Sequence, residues 1–170
     1  MSAETARRKG IPGIGSVVGW GAANDATHVT APSRDGCGLI QAIGRAMAKA
    51  SIGPDDIAAI NAHGTGTVYN DTMESTAFEA VFGSRRIPLN SIKGAIGHTL
   101  GAAGGIEVAV GLRSLADHTL PPTAGFGEAM EQCGFPVSPL PQPIGGIYLL
   151  STNSGFGGIN AALILKGNPE

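Results

Sequence analysis

Two consecutive stretches of the sequence share one form: an apolar run, a glycine-bearing loop with a single histidine, and a segment whose apolar residues have helical spacing. The first stretch covers 57–82 with His63 in its loop, and the second covers 87–116 with His98. A strand–helix–strand crossover is right-handed and parallel in nearly all folds. We therefore expect parallel strands whose histidine loops open at the same edge of one sheet.

The rest of the chain supplies strands and helices for the same sheet. The predicted strands are 14–21, 57–61, 87–92, 144–150 and 159–166. The predicted helices are 37–50, 72–82 and 102–116, after a short charged helical segment at 3–9. This pattern predicts an α/β fold in which a mixed sheet of about five strands carries helices on its faces. Residues 121–143 form a long connection without periodicity, and no linker divides the chain, so we expect one domain over 1–170.

Composition excludes several classes of protein. The net charge is −2, and no apolar run reaches the ~18–20 residues of a membrane span. The basic cluster at 7–9 is too short to indicate a nucleic-acid partner. The amino terminus lacks the apolar core of a signal peptide, and Cys37 and Cys133 lack metal-type spacing. We expect a soluble cytoplasmic protein with reduced thiols and no membrane partner.

A third glycine-rich loop joins the two histidine loops at the same edge. Strand 144–150 also follows a helix and should run parallel to the first two strands. It leads into the segment 153–158, which contains three glycines and an asparagine in a stretch of turn-forming residues. A crevice between three loops at the carboxyl ends of parallel strands is a typical ligand site.

A charged pair flanks the second histidine loop. Glu107 lies in a helical pattern among apolar residues, where an unpaired buried carboxylate is costly. Lys93, just before the same loop, is the cation that we expect to pair with it. Such a pair would brace the loop and set the electric field at His98. An ordinary structural ion pair explains the sequence equally well.

Other uses of the histidines fit the sequence less well. A metal site would find Asp71 and Glu74 nearby, but neither histidine belongs to a ligand-spaced pair, so no metal is expected. Glycine-rich loops at helix N-termini also bind phosphate, but the G-x-G-x-x-G and P-loop patterns are absent. The isolated His28 and His118 are expected to be structural.

Three segments together resemble the signature blocks of one family. They are N-A-H-G-T-G-T (61–67) followed by Asp71 and Glu74, K-x-x-x-G-H-x-x-G-A-A-G-x-x-E (93–107) and N-S-G-F-G-G-x-N (153–160). The blocks resemble those of the β-ketoacyl-acyl-carrier-protein synthases and polyketide ketosynthases, and N-D-A-T-H-V-T-A-P (24–32) extends the likeness. Their spacing through residue 166 is similar to the carboxyl-terminal half of that thiolase-like fold.

The resemblance implies an acyltransferase that performs a decarboxylative Claisen condensation. In that family, the carbanion of a decarboxylating malonyl thioester attacks an acyl group held on a cysteine. By match to the motifs, His63 and His98 hydrogen-bond the malonyl thioester carbonyl and stabilise the enolate. Lys93 and Glu107 match the supporting charged pair.

The resemblance also implies contacts with an acyl carrier protein through its phosphopantetheine arm, and no bound cofactor. Thr65 and Thr67 match the threonines that hydrogen-bond the arm. Phe156, in a loop with Asn153 and Gly155, matches the gating phenylalanine whose backbone N–H helps to form the acyl-enzyme oxyanion hole. The family usually reads N-S-F-G-F-G-G here, so this loop is one aromatic residue shorter and the geometry of its gate differs.

The nucleophilic cysteine of the family belongs to an amino-terminal half that these 170 residues do not include. Cys37 begins a helix, a position that can activate a thiol in other proteins, but it matches a helix residue of the family. Cys133 lies in the long connection. We expect half of a ketosynthase, inactive alone and active in a homo- or hetero-oligomer with the cysteine-bearing half. The alternative is a non-catalytic subunit like a chain-length factor, or a carrier-binding module. Fatty-acid and polyketide enzymes share these motifs.

Overall fold

A five-stranded sheet lies at the centre of the computed structural model, which describes residues 1–131 and 133–168. Its strands, in the spatial order β1-β7-β6-β2-β3, are β1 (Gly15–Asn24), β2 (Ile57–Asn61), β3 (Leu89–Asn90), β6 (Tyr148–Gly155) and β7 (Ile159–Gly167). A separate two-stranded pair consists of β4 (Thr119–Leu120) and β5 (Gln142–Pro143). The helices are α1 (Ala3–Arg8), α2 (Cys37–Ala50), α3 (Val68–Phe82), α4 (Lys93–Ile96) and α5 (Ala103–Ala116), with 3₁₀ turns at Pro54–Asp56 and Leu100–Ala102.

The directions of the strands place three loops at one edge. β2 pairs in parallel with β3 through Ile60↔Leu89 and with β6 through Asn61↔Ser151. β7 is antiparallel to both β6 and β1, so the last two strands form a hairpin. The sheet is mixed, and the α/β prediction is confirmed. The carboxyl ends of β2, β3 and β6 meet at the edge expected for the functional loops.

Helices cover both faces of the sheet. On one face, α2 and α3 bury Leu39, Ile43 and Phe78 against the sheet. On the other, α5 contributes Leu115 to a smaller cluster with Leu149 of β6. Each buried aliphatic or aromatic side chain stabilises the fold by ~1.5–3 kcal/mol relative to exposure. Among the described residues, no helix is both long and apolar enough to cross a membrane.

The strongest periodic segments have the predicted bounds. α2 covers 37–50 and β2 covers 57–61, as expected from their apolar spacing. α2 ends at Ser51, which adopts a left-handed φ of 56° and so cannot continue the helix. α3 begins at Val68 rather than at 72, because the polar residues of its first turn hide the helix from a periodicity argument.

The predicted strand 87–92 is wrong in length, since only Leu89–Asn90 pairs with β2. Ser91 diverts the chain: its N–H donates to Thr123 Oγ1, and its hydroxyl accepts from the N–H of Lys93. Side-chain oxygens of this kind compete with the strand ladder. The backbone then turns into α4, a short helix that the sequence pattern does not predict.

The fourth predicted strand, 144–150, is displaced toward the carboxyl terminus, since β6 begins at Tyr148 and ends at Gly155. The sequence places 151–158 in a loop, whereas β6 continues to Gly155 and pairs with β7 as far as Gly155↔Ile159. Its polar residues suggested a loop because strands are usually recognised by apolar side chains. Here Ser151 and Thr152 are buried in the sheet. The turn is therefore confined to 156–158.

Candidate functional site

Glu74 of α3 holds the backbone of the first histidine loop. Its two carboxylate oxygens accept hydrogen bonds from the N–H groups of His63 at 2.8 Å and Gly64 at 2.7 Å. Asn70 Nδ2 at 2.8 Å and Thr152 Oγ1 at 3.2 Å donate to the same carboxylate. Burial raises the pKa of Glu74, although the hydrogen bonds from the loop and from Asn70 oppose the shift. The loop is thereby fixed to both α3 and β6.

The ring of His63 is buried and neutral. The side chain lies just beyond β2, and the residue is only 5% exposed. Burial, the positive charge of Lys93 and the nearby His98 together lower its pKa from 6.5 to about 4, and a hydrogen bond with Asn153 partly opposes them. Within the described residues, Nδ1 has no hydrogen-bond partner. At neutral pH the ring therefore retains one N–H and one bare nitrogen.

His98 lies opposite His63 with its tautomer fixed by the backbone. The N–H of Leu100 donates to His98 Nδ1 at 3.1 Å, so the neutral ring carries its proton on Nε2. This contact requires Leu100 to adopt a φ of 53°, which is unfavourable for a leucine. The two imidazole rings meet edge to face with centroids 5.2 Å apart. The two imidazole rings are therefore in direct contact at this edge of the sheet.

The expected ion pair between Lys93 and Glu107 is present. Lys93 Nζ lies 2.5 Å from Glu107 Oε1, and the two residues are 8% and 1% exposed. Glu107 Oε2 accepts a hydrogen bond from Asn153 Nδ2 at 2.6 Å. One buried carboxylate therefore links α4, α5 and β6, and Asn153 connects this group to His63.

Thr65 and Thr67 lie in the loop beyond His63, toward solvent. Their hydroxyl oxygens are 2.8 Å apart. The preceding Gly64 has a φ of 42°, and its carbonyl accepts a hydrogen bond from Ser91 Oγ at 2.8 Å. A Cβ at Gly64 would overlap the Ser91 side chain, so this close approach requires glycine.

Phe156 occupies the turn between β6 and β7 at the same sheet edge, directly after the exposed Gly155. It is 80% exposed. The turn is held from behind, because Gly157 donates its N–H to the carbonyl of Val29 at 2.6 Å and accepts from Asn24 Nδ2 at 2.8 Å. The phenyl ring is therefore presented on a fixed backbone without being packed into the core.

A cavity of about 530 Å³ adjoins the histidines. Its walls come from loop 64–66, helix α3 and segment 123–137. His98 and Lys93 both line it. His98 of the pair thus borders a space of a size that suits a small ligand.

The other candidate residues lie elsewhere. Cys37 is half-buried at the start of α2, and Cys133 is half-buried with its thiol 3.7 Å from the carbonyl of Phe135. His28 Nδ1 accepts the N–H groups of its own loop, and His118 is exposed beyond α5. In residues 1–131 and 133–168, no group of three or more histidine, cysteine, aspartate and glutamate side chains is arranged to hold a metal ion.

Sequence reasoning missed the role of Glu74, which it named as a nearby carboxylate for a metal and as part of the first signature block without assigning it a contact. The signal was available, because Glu74 lies between Met73 and Ala77 on a face of α3 that is fully buried. The same argument, a carboxylate among buried helical residues, predicted the pairing of Glu107. The sequence could not show that Glu74 pairs with the backbone N–H groups of the first histidine loop.

Comparison with known proteins connects this arrangement with one family. Residues 14–127 match the model of the β-ketoacyl synthase C-terminal domain. The 3-oxoacyl-[acyl-carrier-protein] synthase 2 of Rhizobium meliloti (strain 1021) is 39% identical over 166 residues, which cover 96% of this chain and 39% of the relative. The synthase 2 of Staphylococcus aureus is 36% identical over 168 residues, or 97% of this chain and 42% of the relative. The chain therefore spans about two fifths of the length of these curated relatives.

Solved structures of ketosynthases also match nearly the whole of this chain, which again covers about two fifths of their length. The ishigamide ketosynthase/chain length factor superposes with a TM-score of 0.90 at 33% identity, covering 99% of this chain and 41% of that chain. A type II PKS acyl-carrier protein in complex with its ketosynthase bound to the hexaketide gives a TM-score of 0.92 at 29% identity, covering 99% and 42%. A β-ketoacyl synthase from Burkholderia phymatum STM815 gives 0.88 at 32% identity, covering 99% and 41%.

Proposed function

The chain belongs to the β-ketoacyl synthase family, with the thiolase-like fold of its carboxyl-terminal domain, and we propose that residues 1–170 form the carbanion-stabilising half of a β-ketoacyl-acyl-carrier-protein synthase. The reaction is the decarboxylative Claisen condensation of an acyl thioester with a malonyl thioester. The observation that carries the proposal is the pairing of His63 and His98, whose rings lie 5.2 Å apart beside a buried ion pair.

In this proposal the thioester carbonyl oxygen of the malonyl group accepts hydrogen bonds from both rings. When the bond between the α-carbon and the carboxylate breaks, CO₂ leaves and its electron pair becomes shared with that oxygen as an enolate. His98 donates from Nε2, the nitrogen left free by Leu100. The low pKa of His63 keeps its ring a neutral donor at physiological pH. Donors fixed in place before charge develops stabilise the transition state more than the substrate.

The buried carboxylates hold these donors in position. Glu107 holds Lys93 in place through the ion pair. The positive charge of Lys93 in turn helps to keep the ring of His63 unprotonated. Glu74 fixes the histidine loop by accepting one hydrogen bond from the backbone N–H of His63 and one from that of Gly64. Neither carboxylate needs to contact the substrate. We assign both as positioning residues for the histidine pair.

The neighbouring loops would receive the carrier. Thr65 and Thr67 are assigned to the phosphopantetheine arm, and Phe156, with Gly155 and Asn153 beside it, to the gate over the acyl site. Similar solved structures include a ketosynthase with its acyl-carrier protein and ketosynthases with a chain length factor, which supports an acyl carrier protein and a second ketosynthase-type chain as partners in the cytoplasm. The nucleophilic cysteine is assigned to an amino-terminal half.

A second candidate is a non-catalytic subunit. The likeness to two ketosynthase/chain length factor complexes, with TM-scores of 0.90 and 0.82, supports it. The presence of both histidines and of the Lys93–Glu107 pair favours the catalytic function, because a subunit without chemistry does not need two aligned donors.

A chimera tests the proposal. The portion of the Rhizobium synthase that the chain does not match is joined to residues 1–170, and malonyl-carrier decarboxylation and condensation are measured. We expect both reactions in the chimera and neither in the 170-residue chain alone. Decarboxylation should be strongly slowed in His98→Ala and unchanged in His118→Asn, whose exposed side chain lies outside the site. A chimera that folds and binds carrier but does not decarboxylate would favour the non-catalytic subunit.

A further inference from the structure

The two histidines approach each other beyond the point where their strands stop pairing. Among the described residues, the last backbone hydrogen bond along β2 and β3 runs from the N–H of Ala62 to the carbonyl of Asn90 at 2.8 Å. His63 and His98 both lie further along the chain, where no ladder joins the two segments. Their ring centroids are nevertheless 5.2 Å apart. Strand pairing alone therefore does not set this distance.

Ser91 connects the two segments through its hydroxyl group. Its Oγ donates to the carbonyl of Gly64 at 2.8 Å and accepts the N–H of Lys93 at 3.3 Å. In the described part of the chain, no other hydrogen bond joins the His63 segment (63–67) directly to the His98 segment (91–102). Ser91 is only 6% exposed, so water competes little for either bond. One hydroxyl thus continues the connection where the sheet ladder has ended.

In the His63 segment, Ser91 holds a different group from the one that Glu74 holds. Gly64 follows His63 directly, and its N–H donates to Glu74 at 2.7 Å while its carbonyl accepts from Ser91. A Cβ on Gly64 would lie 2.5 Å from the Cβ of Ser91, so the two residues are also in close packing contact. Glu74 therefore fixes this segment to α3, whereas Ser91 fixes it relative to the His98 segment.

In the His98 segment, Ser91 anchors the start of α4. Lys93 is the first residue of this helix, and its N–H is the group that donates to the Ser91 hydroxyl. The next residue, Gly94, lies so close to the opposite wall that a Cβ on it would overlap the carbonyl oxygen of Ala124. α4 has four residues and ends just before the His98 loop, so its position determines where the His98 ring can lie.

We propose that Ser91 is a positioning residue of the condensing site, whose hydroxyl sets the spacing and relative orientation of the His63 and His98 rings. The inference rests on the proposed function, in which both rings donate hydrogen bonds to one thioester oxygen. Ser91 takes no part in the chemistry, because its hydroxyl is engaged by two backbone groups. Donors for an enolate must be in place before charge develops, and a displacement of about 1 Å can slow a reaction by about 10²-fold.

An NMR measurement on the 170-residue chain tests the spacing. With ¹³C-labelled histidine, a nuclear Overhauser effect between the rings, assigned with His63→Gln and His98→Gln, should be present in wild type and lost in Ser91→Ala. The control is Ser114→Ala, which should retain the effect. Ser114 is also buried and also donates one hydrogen bond, but its acceptor is the carbonyl of Val110 within α5.

Gly64→Ala is a second variant, which leaves the Ser91 hydroxyl in place. The added methyl group overlaps Ser91 Cβ at a φ of 42°, so the two segments should be forced apart and the inter-ring effect lost. Gly66→Ala is its control, because Gly66 has a φ of 71° but no atom within 4 Å of an added Cβ. It introduces the same methyl group and should retain the effect. Circular dichroism identifies the folded variants, and this pair decides the question if Ser91→Ala does not fold.

The chimera connects the spacing with catalysis. Ser91→Ala should lower kcat for malonyl-carrier decarboxylation by about tenfold to hundredfold with little change in KM, since the hydroxyl acts on the donors and not on the bound substrate. Ser114→Ala should retain both constants. An inter-ring effect that survives in both Ser91→Ala and Gly64→Ala, or a wild-type kcat in the Ser91→Ala chimera, overturns the role of Ser91 while the proposed function stands. A wild-type chimera that does not decarboxylate contradicts the proposed function, and the NMR comparison then still decides whether Ser91 spaces the rings.

Discussion

Lys93 Nζ and Glu107 Oε1 lie 2.5 Å apart in a part of the protein from which water is nearly excluded. Glu107 also accepts a hydrogen bond from Asn153 through its second oxygen. An ion pair without water stabilises a fold little compared with an apolar pair, but removal of one partner leaves a buried charge uncompensated.

Glu107→Ala should therefore lower the free energy of unfolding by about 3–5 kcal/mol. Glu107→Gln should cost less, because the amide oxygen still accepts a hydrogen bond from Lys93. Denaturant unfolding measures both. The control is Asp117→Ala on the same helix, which breaks the exposed pair of Arg113 Nε and Asp117 Oδ2 at 2.7 Å and should cost under about 1 kcal/mol. Equal midpoints for wild type and both Glu107 variants would contradict a stabilising role.

His63 should make stability depend on pH. Its pKa is lowered from 6.5 to about 4 in the folded protein. Between these values the unfolded chain binds a proton that the folded protein does not, so the free energy of unfolding falls as the pH is lowered through this window. The loss should be on the order of 2–3 kcal/mol. Urea unfolding at pH 7 and pH 4.5 measures it.

The contribution of His63 is isolated by substitution. The difference between the two pH values should be smaller in His63→Gln than in wild type, and unchanged in His118→Asn. If His63→Gln has the same pH dependence as wild type, the ring is charged or accessible in the folded protein.

Glu74 should be needed for the geometry of the first histidine loop. Glu74→Ala leaves the N–H groups of His63 and Gly64 without acceptors, and each such group costs about 1–3 kcal/mol. The expected sign is reduced stability together with loss of amide-exchange protection at residues 63 and 64. Glu79→Ala, at an exposed position of the same helix, should change neither. Protection that survives Glu74→Ala would show that another group holds the loop.

The two histidines should act on decarboxylation rather than on acyl transfer. In the chimera, His63→Ala or His98→Ala should slow malonyl decarboxylation by about 10²–10³-fold. The double variant should lose less than the product of the two factors, because the donors act as a unit. Single-turnover assays separate the half-reactions. If His98→Ala blocked acylation of the cysteine and spared decarboxylation, His98 would be the base for the thiol.

The isolated chain should self-associate through α5. Among the described residues, this helix alone is packed on its face of the sheet, and Ala109 lies exposed on it. A second layer would normally cover such a helix. Light scattering should detect a dimer or larger species, and Ala109→Lys should shift it toward monomer. Ala80→Lys, at an exposed position of α3, should not. A stable monomer at high concentration would contradict self-association through α5.

The sequence predicts the bounds of helices and strands well where the buried residues recur with a single helical or strand spacing. Helix 37–50 and strand 57–61 have their observed bounds because each buries an uninterrupted apolar set. Prediction fails where polar side chains replace the apolar pattern inside the protein. Thr152 is a polar residue inside β6, and its hydroxyl donates a hydrogen bond to Glu74. Glu74 is distant in sequence, so no local pattern records that contact.

In the functional site too, some features follow from a local sequence pattern and others do not. The sequence suggested the Lys93–Glu107 pair because a carboxylate among apolar residues needs a cation. It could not specify the tautomer of His98, which depends on a left-handed φ at Leu100. Nor could it give the cavity, whose volume results from the distance between α3 and a connection without periodicity.

The contact of Thr152 with Glu74 joins residues 78 positions apart in the chain. Closing so long a loop costs entropy before the contact can form, and non-local contacts of this kind mature late in folding. A nascent chain that has released residues 1–120 already contains both histidines but lacks Thr152 and Asn153. The carboxylate of Glu74 therefore acquires its full set of hydrogen bonds only after the last hairpin has docked, and a partner that recognises the finished site would select chains whose folding is complete.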